Sequence, residues 1–148
     1  MKRFLLAQHL NNKGVTVIEF LVVVSVFLLI IGALTPFVNM AQSRARRLDC
    51  ANNLRNISLG LHAYAADHND SFPAALGELY PQYVGSEKVF DCPATKSIGT
   101  KEKPDYKYVF GLTEFTLPKE TIVEDLDGNH KKSGRNILRV DGSVEWVS

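Results

Sequence analysis

The sequence predicts an α+β chain: one long N-terminal helix, membrane-spanning in its first half, packed in its second half against a small C-terminal antiparallel β-sheet. Three observations lead there. Residues 15–38 form an apolar run of about two dozen residues, enough to cross a bilayer as a helix. Residues 39–69 continue as an amphipathic, soluble helix with apolar positions every three or four residues. Residues 70–148 read as a globular head whose last part alternates like short strands around Asp141-Gly142, a hairpin signal.

Residues 1–14 carry Lys2, Arg3 and Lys13 and no acid, so their removal takes the formal net charge from +1 to −2. A basic start before an apolar stretch has the look of a secretory signal, but the stretch is too long and no A-x-A cleavage site follows it. The apolar segment is therefore expected to stay with the protein, and a plain signal anchor is the simplest alternative. Charge counting leaves orientation open, since Lys2, Arg3 and Lys13 on one side face Arg44, Arg46 and Arg47 on the other. Within the run stands one acid, Glu19. An ionisable group at membrane depth costs roughly 2.5 to 3.5 kcal/mol on insertion scales, so it needs a partner.

The string KGVTVIE, Lys13 to Glu19, resembles the class III signal of type IV prepilins and type II secretion pseudopilins, whose pattern is Lys-Gly, a cut, Phe-Thr-Leu-Ile-Glu and about 20 apolar residues. Lys13, Gly14, Thr16, Ile18 and Glu19 match; Val15 and Val17 stand where Phe and Leu are usual. The resemblance implies a pilin-like fold and cleavage between Gly14 and Val15 by a prepilin peptidase that also N-methylates Val15. Glycine suits such a site because a residue without Cβ lets the enzyme reach the backbone. Counted from the cut, Glu19 is the fifth residue and Pro36 the twenty-second, where such proteins often carry a proline. In a filament of stacked helices the cationic terminus of Val15 in one subunit neutralises Glu19 of a neighbour, which makes Glu19 a register device. A Glu19 that snorkels or stays protonated in a monomeric anchor is the competing reading.

Beyond Pro36 the stripe Ala41, Ala45, Leu48, Ala51, Leu54, Ile57 or Ser58, Leu61, Tyr64 and Ala65 opposes the polar positions Arg44, Arg47, Asn52, Arg55 and Asn56. One helix from Val15 to about Asp67 would be roughly 80 Å long. Gly32 and Pro36 are its weak points, where local unwinding during assembly is a hypothesis. Asn69-Asp70-Ser71-Phe72-Pro73 ends it. "PAALGELYPQYV" then reads as a short helix and turn, and "VFDCPATKS" as a loop. The chain has two cysteines. Cys50 on the helix and Cys92 in the loop either form a disulfide closing about 43 residues or stay reduced as structural thiols. Strands are expected in "YKYVF", "ETIVEDL", "RNILRV" and "SVEWVS". Leu138, Val140, Val144 and Trp146 should share the face that packs on Leu54, Leu61 and Tyr64, with Trp146 in the core.

A second resemblance lies in "GNHKKSGRNILRVDGSVEWV", "CANNLRNISLGLHAYAADHNDSFP" and the Cys92-Pro93 loop. These are similar to a bacterial group of pseudopilin-like proteins, although the spacing from His130 to Asp141 is one residue longer than in the usual form. Major pseudopilins often bind calcium near the C-terminus. Here "EDLDGN" offers Glu124, Asp125, Asp127 and Asn129 as hard oxygen donors, without the terminal glutamate of an EF-hand; a solvated Asp-Gly turn is the alternative. His62 and His68 lie about 240° apart around a helix and do not face one ion. Neither G-x-S-x-G, H-E-x-x-H nor a phosphate loop occurs, so no enzymatic role is expected. The mature charge of −2 and the lack of aromatics among Arg44, Arg46 and Arg47 argue against nucleic acid; lipid head groups suit that basic face better.

The resemblance therefore implies a filament subunit of a type II secretion system. Its partners would be the peptidase, further copies of itself, other pseudopilins and an inner-membrane assembly platform. The chain would span the bacterial inner membrane once, with its head in the periplasm. A minor type IV pilin with a head that binds a surface, DNA or an exported substrate is the alternative, and a monomeric anchored domain the third reading.

Overall fold

The computed structural model describes residues 16–130 and 133–148. Gly14 and Val15, the expected cleavage and methylation positions, lie outside the described residues. One helix, α1 (Val17–Asp67), accounts for 51 residues, and four short strands follow: β1 (Tyr106–Tyr108), β2 (Thr121–Asp125), β3 (Arg135–Arg139) and β4 (Val144–Val147). The layout is α+β and pilin-like. Contacts divide the chain into two units that meet in sequence between Val38 and Asn39.

In the first unit the large apolar side chains are left mostly uncovered by the described residues. Val17, Phe20, Phe27, Leu29 and Phe37 are exposed, and no part of the most apolar window is buried. One helix of this length and composition is consistent with a single membrane span. Its two hydroxyls are satisfied locally, as hydrocarbon requires: Ser25 donates to the Val22 carbonyl at 2.8 Å and Thr35 to the Ile31 carbonyl at 2.9 Å. Helix continues across both Gly32 and Pro36, so the proline's missing donor does not end it.

In the second unit the helix buries Cys50, Ala51, Leu54, Ile57, Ser58, Gly60, Leu61 and Ala65. Leu48, expected on this stripe, is 62% exposed. At about 100° per residue it lies roughly 120° round from Leu54, whereas Arg47 lies about 20° away and takes the inward place. Gly60 stands on the packed face because a Cβ there would sit 2.7 Å from a methyl group of Val84.

Helix α1 stops with Asn69 and Asp70 in the left-handed region, at φ of 52° and 61°. A connecting region follows that contains two 3-10 turns, Leu76–Leu79 and Glu87–Phe90, with a cis Tyr80–Pro81 bond between them. Leu76, Leu79, Val84, Val89 and Phe90 turn inward from this region onto Leu54, Ile57 and Leu61. Asp105 fixes its last part. Its carboxylate accepts from Cys92 N–H at 3.2 Å and from the hydroxyls of Thr95 and Ser97 at 2.9 Å each.

The sheet is an antiparallel meander in the order β1-β2-β3-β4. Tyr108, Val123, Leu138 and Val144 lie in one cross-strand row, and Val123 and Leu138 are fully buried in the core shared with α1. A register shift between Thr121 and Val123 explains how the neighbours Ile122 and Val123 are both buried, against strict alternation. The β3–β4 turn is closed by Gly142 N–H on the Arg139 carbonyl at 3.0 Å, with Gly142 at φ 81°. Glycine adopts that conformation without a Cβ clash. Trp146 does not enter the core; it is half-buried at the sheet's end, beneath the Arg47 guanidinium at 3.9 Å. Arg47 on the inward helix face keeps the indole at the margin, where a cation over the ring is favourable.

Candidate functional site

Among the described residues two places are candidates for a functional role: the start of α1 and a buried polar centre in the head. At the start of α1, Thr16 is the N-cap. Its carbonyl accepts from Phe20 N–H at 3.1 Å and its hydroxyl accepts from Glu19 N–H at 3.3 Å. Thr16-Val17-Ile18-Glu19 is therefore also a capping-box sequence, readable without any filament. The cap uses the backbone of Glu19. Its carboxylate stays exposed in the first helical turn, where the helix dipole favours a negative group. Pro36 lies inside the same helix, exposed like its neighbours.

The second place is built by the sheet. Next to the apolar row lies a polar one, in which Tyr106 pairs with Asp125 and Asn136 with Trp146. Asp125 Oδ2 accepts from Asn136 N–H at 2.7 Å, from Asn136 Nδ2 at 2.9 Å, and lies 3.0 Å from His130 Nε2. Asp125 Oδ1 is buried and has no hydrogen-bond partner among the described residues. Burial pushes the Asp125 carboxyl above the usual carboxylate range, against the bonds from Asn136 and His130, which pull it down. His130 meets Trp146 edge-on at 5.3 Å, and its Nε2 lies 3.9 Å from Cys92 Sγ.

Helix and loop complete the centre. Cys50 and Cys92 are joined in a disulfide, with Cα atoms 5.4 Å apart and both residues essentially inaccessible. Asn136 Nδ2 reaches the Arg47 carbonyl at 3.3 Å, tying the polar row to α1. A cavity of about 200 Å³ opens beside His130 and Trp146, with Arg44, Arg46 and Arg47 along its helix side.

The four oxygen-donor residues expected to hold calcium are not brought together. Asp125 faces the buried centre, Asp127 is 96% exposed and bonds Arg135 at 3.2 Å, and the Asn129 amide donates to the Asp105 carbonyl at 2.9 Å. Glu124 pairs with Lys107 and Arg135. A calcium site needs six or more oxygens on one centre, and these side chains are spent on separate partners. His62 and His68 also part ways: His62 Nδ1 lies 2.6 Å from Glu114 Oε1, and His68 stacks on Tyr64. His130 and Asp141 likewise take different partners, since Asp141 accepts from Ser143 N–H at 2.8 Å.

The grouping of Asp125 and His130 with the two cysteines was not visible in the sequence. Its members come from α1, the connecting loop, β2 and the turn after β2, and no local spacing announces them.

Residues 40–87 match a family model described as a protein of unknown function (DUF1559). The matched segment includes the soluble part of α1 with Cys50, and ends in the second 3-10 turn. No curated protein and no solved structure matches the chain.

Proposed function

We propose that this chain is a structural subunit of a type IV pilus-like filament, most closely a type II secretion pseudopilin that polymerises through α1 in a periplasmic pseudopilus. One observation carries the reading: Lys13-Gly14-Val15-Thr16-Val17-Ile18-Glu19 stands directly before an apolar helix whose large side chains are unburied within its own chain. Lipid can cover those side chains in a single anchored copy. It does nothing for Glu19, and a neighbouring subunit's new N-terminus does. The capped first turn presents the Glu19 carboxylate outward for such a contact.

A prepilin peptidase would remove residues 1–14 on the cytoplasmic face of the inner membrane and methylate Val15. An assembly platform would then add the subunit to a filament of like chains, with the head in the periplasm. Catalysis forms no part of this role. A minor pilin with a binding head is the second reading, and the arginine-lined cavity beside His130 is the observation that favours it.

Mass spectrometry of the native N-terminus tests the class: a methylated Val15 is expected, and an intact Met1 would refute it. Glu19→Ala tests the mechanism, because its two effects have opposite signs. Without an acid the helix should enter the membrane at least as well, whereas incorporation into cross-linkable or sheared filaments should collapse. Normal assembly of that variant would remove the register role from Glu19.

A further inference from the structure

The Cys50 and Cys92 sulfurs, a carboxylate oxygen of Asp125 and a ring nitrogen of His130 all lie within 4.8 Å of one another. Two thiols, an imidazole and a carboxylate are a donor set for Zn2+, and soft sulfur with nitrogen selects against calcium and magnesium. We propose that with its cysteines as thiols the head binds one thiophilic divalent cation, Zn2+ by ligand preference, through Cys50 Sγ, Cys92 Sγ, His130 Nε2 and a carboxylate oxygen of Asp125. The disulfide and the metal are then alternative occupants of a single buried centre.

An independent observation points the same way. Asp125 Oδ1 is buried and has no partner among the described residues, while Oδ2 of the same carboxylate takes two bonds from Asn136. An orphaned buried oxygen is costly, because it has given up its hydration without a replacement bond. A cation bound to the Asp125 carboxylate would offset that cost, and the disulfide does not. Asn136 already supplies the support that a metal-ligating carboxylate needs from its surroundings.

The geometry is close to what is required. Zinc bonds of about 2.0 to 2.3 Å at tetrahedral angles place donors roughly 3.4 to 3.8 Å apart. From separations within 4.8 Å, the donors other than the sulfur pair shift relative to one another by at most about 1.4 Å, while the two sulfurs part from bonding distance. The proton balance is simple. Each thiol loses its proton to solvent as the metal–sulfur bond forms, and the ring proton through which His130 Nε2 bonds Asp125 passes by way of solvent to Nδ1, which breaks that bond and frees the Nε2 lone pair. No electron transfer accompanies metal entry. Conversely, formation of the disulfide removes two electrons and two protons from the dithiol and passes them to a disulfide-bearing oxidase, which is reduced to its own dithiol.

Either occupant ties α1 to the loop that carries Cys92, so the link is kept in both redox states. The test uses the full chain in detergent micelles, made in a reducing cytoplasm and purified without oxygen, with Co2+ as the probe. Reduced protein should bind one Co2+ with tetrahedral ligand-field bands and sulfur-to-cobalt charge transfer, and Zn2+ should displace it. The oxidised protein should show neither signal. His130→Gln and Asp125→Asn, checked for folding by Trp146 fluorescence, should keep charge transfer but lose band intensity and at least about tenfold in affinity, a loss already typical of removing a ligand's support. Absence of both bands in the reduced wild type would overturn the proposal without recourse to any variant. Spectra and affinity unaffected in folded His130→Gln and Asp125→Asn would also overturn it, by leaving a two-sulfur site only.

Discussion

Replacing both cysteines, Cys50→Ala with Cys92→Ala, should lower the stability of the head by an amount the chain itself fixes. The bridge spans a sequence separation of 42. On the chain-entropy account, a closed loop of about 43 residues removes ~13 cal/mol/K from the unfolded ensemble, or about 4 kcal/mol at 25 °C. The head unit Asn39–Ser148 has about 110 residues, and an unfolding entropy of about 2.1 cal/mol/K per residue gives roughly 0.23 kcal/mol/K. The midpoint of thermal unfolding should therefore fall by roughly 17 °C. Trp146 is the only tryptophan and sits half-buried between Arg47 and His130, so its fluorescence reports the head without interference from the apolar helix. The full chain in micelles is compared in three forms: oxidised, reduced with a chelator present, and doubly substituted. The last two should unfold at similar temperatures, both well below the first. A fall of less than about 5 °C, with oxidation verified by thiol counting, would refute the entropic reasoning and mean that packing around Asp105 already restrains the loop.

Leu54→Ala should cost about 2 to 5 kcal/mol, because Leu54 is fully buried among Ile57, Leu61 and Leu138. Leu48→Ala, on an exposed position, should change monomer stability by less than about 0.5 kcal/mol; urea titrations followed by Trp146 compare the two, and equal costs would contradict the assigned helix face. Gly99→Ala places a Cβ against the Phe90 carbonyl oxygen, backbone against which no side chain can yield. A loss of at least about 1 to 3 kcal/mol is expected by the same titration. Asp105→Ala strips acceptors from Cys92 N–H, Thr95 and Ser97 at once, and about 2 to 4 kcal/mol should be lost; faster amide exchange across residues 92–105 would locate the effect.

Much of the head could be read from the chain because its signals are local. The alternation in "ETIVEDL" and "RNILRV" and the Asp141-Gly142 turn report on neighbours within a few residues, and the strands formed where those patterns stand. The helix phase was harder. Leu48 continues an apolar stripe in sequence, yet Arg47 faces inward because the polar row of the sheet supplies it with Trp146 and lends Asn136 to its carbonyl. Hydropathy alone does not see that a guanidinium can be favourable beside an indole. The buried centre was least legible. Cys50, Cys92, Asp125 and His130 come from separate elements, and each alone has an ordinary explanation. The Thr16–Glu19 cap is visible in four consecutive letters, but it competes there with the prepilin pattern carried by the same residues.

The bond at Cys50 also has a mechanical side. In a filament, force from assembly would enter the head along α1 from Asn39, and Cys50 is the first fully buried side chain it meets. There the load divides. Part passes covalently into Cys92, whose N–H is held by Asp105, and Asp105 directly precedes β1. The sheet is thus coupled to the shaft before tension reaches the non-covalent packing of Leu54, Ile57 and Leu61. Such a subunit would resist being peeled from its own helix at the end where pulling starts.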